Sequence, residues 1–219
     1  MLLLIPYRIE SIFQHPPTAN RVIIGITVLV SLTALISGDG PLWSLVLERG
    51  SLFGLPGHIL LHGDLFHLGG NMLFLWIFGN ALCSNMENRR YAILYVLLGV
   101  VSGLIHIIVD GDPAIGASGA INGIVGMAVT AYPRDKVDTF WWVLIRFGTT
   151  SLPMWLLVST WLFFDLWGAG EGGGDVAHWA HIGGLFAGIA IGLIGLQSGW
   201  IQLTQFDKPT LLDMLRKRG

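Results

Sequence analysis

Six long stretches of this chain contain no Asp, Glu, Lys or Arg, and nothing else in the sequence constrains the fold as tightly. They run 22–38, 65–86, 91–109, 113–133, 147–164 and 176–206, or 17, 22, 19, 21, 18 and 31 residues. A helix needs about 20 apolar residues, within a range of roughly 17–25, to cross a bilayer. All six reach that length, and the last leaves surplus for a loop. A membrane barrel would show short alternating segments in place of long continuous ones, so strands are not expected. Composition agrees, since only 12% of the residues are charged against about 25% in an ordinary soluble domain. The 30 glycines fit helices whose backbones approach closely within lipid. The chain is therefore expected to be an all-α membrane protein, a six-transmembrane-helix bundle forming a single domain over 1–219 with its core at about 20–197.

Basic residues orient the bundle. Arg8 and Arg21 precede the first span, Arg89 and Arg90 lie between the second and third, and Arg134, Lys136 and Arg146 lie between the fourth and fifth. Lys208, Arg216, Lys217 and Arg218 follow the sixth, so eleven of the twelve Lys and Arg fall in alternate connections. The opposite connections hold Arg49 with Asp39, Glu48, Asp110, Asp112, Glu171 and Asp175. Cytoplasmic loops carry the Lys and Arg excess, which places both termini in the cytoplasm. Met1 to Ile5 is too short for the apolar core of a secretory signal and follows no basic residue, so no cleaved signal is expected. The connection 39–64 mixes Trp43, Leu45, Leu47, Leu52 and Phe53 with Gly and Pro, a pattern that suits a segment lying in the outer interface. A net charge of −2 gives no basic footprint for nucleic acid, and a lone Cys83 cannot form an intramolecular disulfide.

Polar groups within a span are costly and mark functional sites by default. Here they gather in three places. The second helix is expected to begin at His58-Ile59-Leu60-Leu61-His62 and to continue into His67-Leu68-Gly69-Gly70-Asn71. The fourth begins Gly116-Ala117-Ser118-Gly119, and the sixth begins His178-Trp179-Ala180-His181-Ile182-Gly183-Gly184. Counting from the cytoplasmic ends at about 1.5 Å per residue puts Ser118 at roughly 21 Å, His181 and His67 at roughly 24 Å, and Asn71 at roughly 18 Å. All four share one layer, roughly 6–12 Å below the outer surface of a hydrocarbon core about 30 Å thick.

Glycines four apart, Gly119 and Gly123 on one helix and Gly184, Gly188 and Gly192 on the other, let two backbones close together. Ser118 and His181 can then hydrogen-bond, the arrangement in which an imidazole takes a hydroxyl proton as attack begins. Asp165 and Asp175 fall nearer the outer boundary, so no third member of a triad is evident and a Ser-His dyad is expected. Ser118 at a helix N-terminus, with His67 and Asn71 on one face of the second helix, supplies donors for an oxyanion.

These three motifs, with the spaced His58 and His62, resemble the rhomboid intramembrane serine proteases over roughly residues 20–197. The resemblance implies a rhomboid-like membrane domain whose nucleophile is Ser118 and whose general base is His181. His67, Asn71 and the Ser118 backbone N–H would line the oxyanion hole. It implies a serine endopeptidase that cuts single-spanning transmembrane substrates near their outer end, in the lipid bilayer of a bacterial inner (plasma) membrane. No cofactor, metal or nucleic-acid partner is implied.

The chain departs from well-known members in two places. Phe53-Gly54 stands where they have Trp-Arg, and Asn122 stands where they have a tyrosine stacked on the catalytic histidine. No additional helix or soluble domain is expected, as in a minimal bacterial-type core. His58 and His62 are assigned to fixing the 39–57 loop, and His106 and His178 to positions away from the site.

Three rival readings fit the sequence less well. A metal site on His58 and His62 or on His178 and His181 is disfavoured because no carboxylate or cysteine adjoins either pair in the sequence. An inactive rhomboid-like binder is disfavoured because both dyad residues are present. A transporter is disfavoured by an off-centre polar cluster without paired half-helices.

Overall fold

The computed structural model describes residues 2–38, 40–171 and 176–216, with backbone alone at Leu2. Asp39, Asp175, Lys217 and Arg218, used above to orient the chain, lie outside the described residues. Six principal helices follow one another: α1 Thr18–Ser37, α2 Leu65–Cys83, α3 Asn88–Val109, α4 Ser118–Ala131, α5 Met154–Glu171 and α6 His178–Gln197. A short helix α7, Leu211–Arg216, comes last. Among the described residues, α1, α2, α3 and α6 are long and apolar enough to cross a membrane, and α4 is a shorter apolar helix.

The surface is what a helix bundle in lipid requires. The buried face of α1 is Asn20, Thr27, Ser31 and Ala34, while Val22, Ile26, Leu29 and Ile36 on the same helix are exposed. In water that arrangement would be inside out. In lipid the apolar side chains face the hydrocarbon, and the buried Asn20 and Ser31 find partners within the protein. Asn20, fully buried, donates to the Leu75 carbonyl and to Asn80 Oδ1, both at 2.9 Å, and accepts from the Tyr91 hydroxyl at 2.6 Å. The Leu75 carbonyl belongs to a π-helical turn, Leu75–Gly79, inside α2.

α4 is the central helix: of its 14 residues only Ser118 and Asn122 are not buried. It packs most extensively on α6, and glycine makes the close approach possible. A Cβ on Gly184 would strike the Gly119 carbonyl, and one on Gly188 would strike that of Gly123. On α3, Tyr91, Leu94, Tyr95, Leu98, Ser102 and His106 form a stripe at helical period that covers the same core.

Three expectations are corrected. The chain is not all-α, because β1 Leu2–Ile9, β2 Lys136–Val143 and β3 Arg146–Pro153 form an antiparallel sheet in the order β1-β2-β3. Val137, Thr139, Phe140, Trp141, Trp142 and Val143 are the β-branched and aromatic residues that strands favour. The hairpin turns at Leu144 and Ile145, between Val143 and its partner Arg146. Asp138 ties the sheet together, accepting from Arg8 Nε of β1 at 2.6 Å and from Ser151 Oγ of β3 at 2.5 Å.

The fifth helix, in turn, begins at Met154, not at 147. The uncharged Gly148-Thr149-Thr150-Ser151 is polar strand, and the helix runs on through Asp165 to Glu171. Finally, α2 begins at Leu65, where Asp64 caps it by accepting from the N–H groups of Phe66 and His67 at 2.7 and 2.8 Å. His58–Leu60 is a separate 3-10 turn.

Candidate active site

The first residue of α4 meets the first turn of α6. Ser118 Oγ lies 2.8 Å from His181 Nε2, across the seam that Gly119 and Gly184 hold closed. The other ring nitrogen, His181 Nδ1, lies 2.8 Å from Asp165 Oδ1 on α5. The expectation that no third partner is present is therefore overturned. Asp165 lies inside a helix that continues for six residues beyond it, and its side chain is only 15% exposed.

His178 is also not a bystander. Its Nδ1 lies 2.9 Å from the same Asp165 Oδ1, so two imidazoles converge on one carboxylate oxygen. This supplies the neighbouring carboxylate that the sequence did not show for a metal reading: the three ligand atoms of Asp165, His178 and His181 lie within 4.8 Å of one another.

The lead into Ser118 is shaped by Gly116, at φ +122°. A side chain there would collide with His67, whose Nε2 lies 2.8 Å from the Cβ position. His67 thus sits against the backbone two residues before Ser118. Asn71, one turn along α2, donates through Nδ2 to the His67 carbonyl at 2.9 Å. His67, Asn71, Ser118, Asn122, Asp165 and His181 all line one cavity of about 950 Å³, walled by α2, α4, α5 and α6. Among the described residues no hydrogen bond joins His67 or Asn71 to Ser118, although all three line the same cavity. Asn122 donates to the Ser118 carbonyl at 3.0 Å.

His62 bolts the structure behind the site. It is 1% exposed, with Nδ1 at 2.9 Å from Ser31 Oγ and Nε2 at 3.4 Å from the Ala117 N–H. Ser31 gives its own proton to the Leu60 carbonyl at 2.7 Å. Donor accounting then fixes the tautomer: Nδ1 donates to Ser31 and Nε2 accepts from Ala117. The ring also meets His67 edge-on at 4.9 Å. His58 is buried, with Nδ1 bonded to the Gly54 carbonyl at 2.9 Å, and its own carbonyl accepts from Gly116 N at 3.0 Å. Both histidines hold the chain around Gly116 and Ala117. At the Phe53-Gly54 departure, a Cβ on Gly54 would collide with the Val46 carbonyl, so a larger residue does not fit that turn. His106 is buried and bonds the Asp112 carbonyl at 3.0 Å.

Asp165 was missed for a definite reason. A charged residue reads as the end of an apolar segment, and that rule hides any acid a helix carries inward. The available signal was spacing, since Asp165 and Gly168 stand three apart on one helix and His178 and His181 three apart on the next.

The Rhomboid domain matches residues 49–198. The chain is 25% identical over 199 residues to rhomboid protease GluP of Bacillus subtilis, covering 84% of this chain and 37% of that protein. It is 25% identical over 134 residues to rhomboid protease GlpG of Enterobacter sp., covering 61% and 45%. It is 26% identical over 140 residues to the mitochondrial presenilin-associated rhomboid-like protein of Mus musculus, covering 58% and 34%. The chain thus spans between a third and a half of the length of these relatives. With the domain matched across well over half of its residues, this protein belongs to the rhomboid family.

Proposed function

We propose that this chain is an intramembrane serine endopeptidase that hydrolyses peptide bonds in or near transmembrane segments of membrane proteins. The observation that carries the reading is the 2.8 Å contact between Ser118 Oγ and His181 Nε2, inside a cavity that also holds His67 and Asn71. In this reading Ser118 Oγ attacks the scissile carbonyl carbon while its proton passes to His181 Nε2. The C–N bond then breaks as that proton moves to the leaving nitrogen. Water, activated by the same imidazole, hydrolyses the resulting ester and restores Ser118.

The developing oxyanion is assigned to His67, Asn71 and the Ser118 N–H. That N–H belongs to the first turn of α4, where backbone donors lack intrahelical acceptors and the helix dipole favours negative charge. Such donors contribute mainly where charge develops.

All six helices α1–α6 are taken as spanning, with both termini cytoplasmic, on the support of the Lys and Arg distribution. Single-spanning membrane proteins are the proposed substrates. A bacterial plasma membrane is the proposed location, supported by the match over 84% of the chain to the Bacillus protein. The test is cleavage of a reporter transmembrane segment by purified protein in detergent. Ser118→Ala and His181→Ala should each abolish cleavage, and a chelator should leave the parent unaffected. Normal cutting by either variant, or chelator-sensitive activity that survives in Ser118→Ala, would show the reading to be wrong.

A further inference from the structure

We infer that Asp165 is the positioning residue of this site, holding His181 in its reactive tautomer, and that His178 in turn holds the Asp165 carboxylate. The inference deepens the proposed function and rests on Ser118 and His181 being the reacting pair.

Ionised carboxylates only accept hydrogen bonds. His181 Nδ1 at 2.8 Å from Asp165 Oδ1 must therefore carry the ring proton, which leaves Nε2 bare. Nε2 is the atom that faces Ser118 Oγ at 2.8 Å. Without the carboxylate, the neutral ring is free to carry its proton on Nε2, and a protonated Nε2 cannot accept from the serine. When the serine proton does arrive, the ring becomes an imidazolium whose Nδ1–H points at a negative oxygen in a site of low dielectric. The carboxylate stays ionised throughout, and the proton leaves on the departing nitrogen, so Asp165 orients and stabilises without exchanging a proton.

A carboxylate inside a helix of this bundle is costly unless its lone pairs are used. His178 uses one, with Nδ1 at 2.9 Å from the same Oδ1. The backbone has been cleared for that ring: a Cβ on Gly168 would lie 2.5 Å from His178 Cε1 and closer still to Nε2. Asp165-x-x-Gly168 on α5 thus forms a bracket for His178-x-x-His181 on α6, each pair on one helix face. The α4 side gives His181 no comparable support, because Asn122 directs its amide to the Ser118 carbonyl. The groups facing His181 are Asp165 from α5, His178 from α6, Ser118 from α4 and His67 from α2. Asp165 alone among them is anionic.

The experiment measures kcat and KM of the parent, Asp165→Asn and His178→Ala on the reporter substrate. It also records ¹⁵N-histidine NMR of the parent, with His181→Ala to assign the ring. Asp165→Asn should lower kcat by about 10²–10⁴ with KM little changed, as loss of the orienting carboxylate does in serine hydrolases. His178→Ala should lower kcat by a smaller factor with KM little changed, since the carboxylate loses the donor that holds it. The parent spectrum should show His181 protonated at Nδ1 and bare at Nε2.

Parental kcat in Asp165→Asn, or an Nε2–H tautomer in the resting parent, would overturn the inference. The parent spectrum decides the matter even if Asp165→Asn fails to fold. An active Asp165→Asn beside inactive Ser118→Ala and His181→Ala would sink this inference alone, whereas an active Ser118→Ala would sink the proposed function beneath it.

Discussion

Gly184→Ala adds a single methyl group at the closest approach of α4 and α6. Its Cβ would lie 3.1 Å from the Gly119 carbonyl carbon, nearer still to that oxygen, and 3.4 Å from Gly123 N. Non-bonded carbons rest at about 3.5–4.0 Å, and every atom met here is backbone, which cannot swing aside. α6 must therefore retreat from α4 by roughly 1 Å. Gly119 follows the nucleophile in sequence, and His181 precedes Gly184 by one turn, so the retreat falls on the 2.8 Å contact between Ser118 and His181. Stretched to about 3.6 Å or more, that contact is no longer a hydrogen bond.

A displacement of that size costs about 10²-fold in rate, and the overpacking costs about 1–3 kcal/mol of stability. Helix propensity acts the other way, since Ala is favoured over Gly by about 0.5–1 kcal/mol, and it loses. Gly25→Ala on α1 is the control, because a Cβ there meets nothing within 4 Å; it should leave activity unchanged. The assay is kcat/KM on the reporter segment, with a thermal melt of each variant. Parental activity in Gly184→Ala, or an equal loss in Gly25→Ala, would refute the close-approach reasoning.

Asn71→Ala should lower kcat by about 10²–10³ with little change in KM, the loss expected for one oxyanion donor; a change confined to KM would assign Asn71 to substrate binding. The sheet should loosen in acid. The Ser151 hydroxyl, with Arg8, holds the Asp138 carboxyl below its usual 3.8, so its stabilising contribution is present above that value and lost as pH falls through the lower folded one. Hydrogen exchange of the β1 amides should rise over that acid range in the parent and show no such step in Asp138→Asn; a step of equal size in both would contradict the assignment. Ser31→Ala removes the acceptor of the buried His62 Nδ1–H and should cost about 1–3 kcal/mol, read as a lowered melting midpoint; an unchanged midpoint would show that His62 finds another partner.

Charge counting located a helix in each of the six segments because lipid forbids unpaired charge whatever the tertiary contacts, and that is a property of sequence alone. It misplaced the start of α5 because absence of charge is not apolarity: Gly148-Thr149-Thr150-Ser151 carries no charge and still belongs to a strand. The pairing of β1 with β2 joins residues more than a hundred positions apart, a separation that local pattern does not reach. At the site, Ser118 and His181 were legible because glycine spacing and equal depth are both countable along a helix. Asp165 was hidden by the same rule that marked the helices, since a paired acid and an unpaired one read alike in sequence. His62 was expected to fix the 39–57 loop. Its bond to the Ala117 N–H depends on how the 3-10 turn His58–Leu60 places it, a geometry with no sequence period to reveal it.

The most direct measurement is saturable labelling of the purified protein by a fluorophosphonate serine-hydrolase probe, compared with Ser118→Ala and His181→Ala. An activated serine predicts one covalent adduct, located at Ser118, absent in the first variant and strongly slowed in the second. Equal labelling of parent and Ser118→Ala, or none in a folded parent that cleaves its reporter, would contradict it.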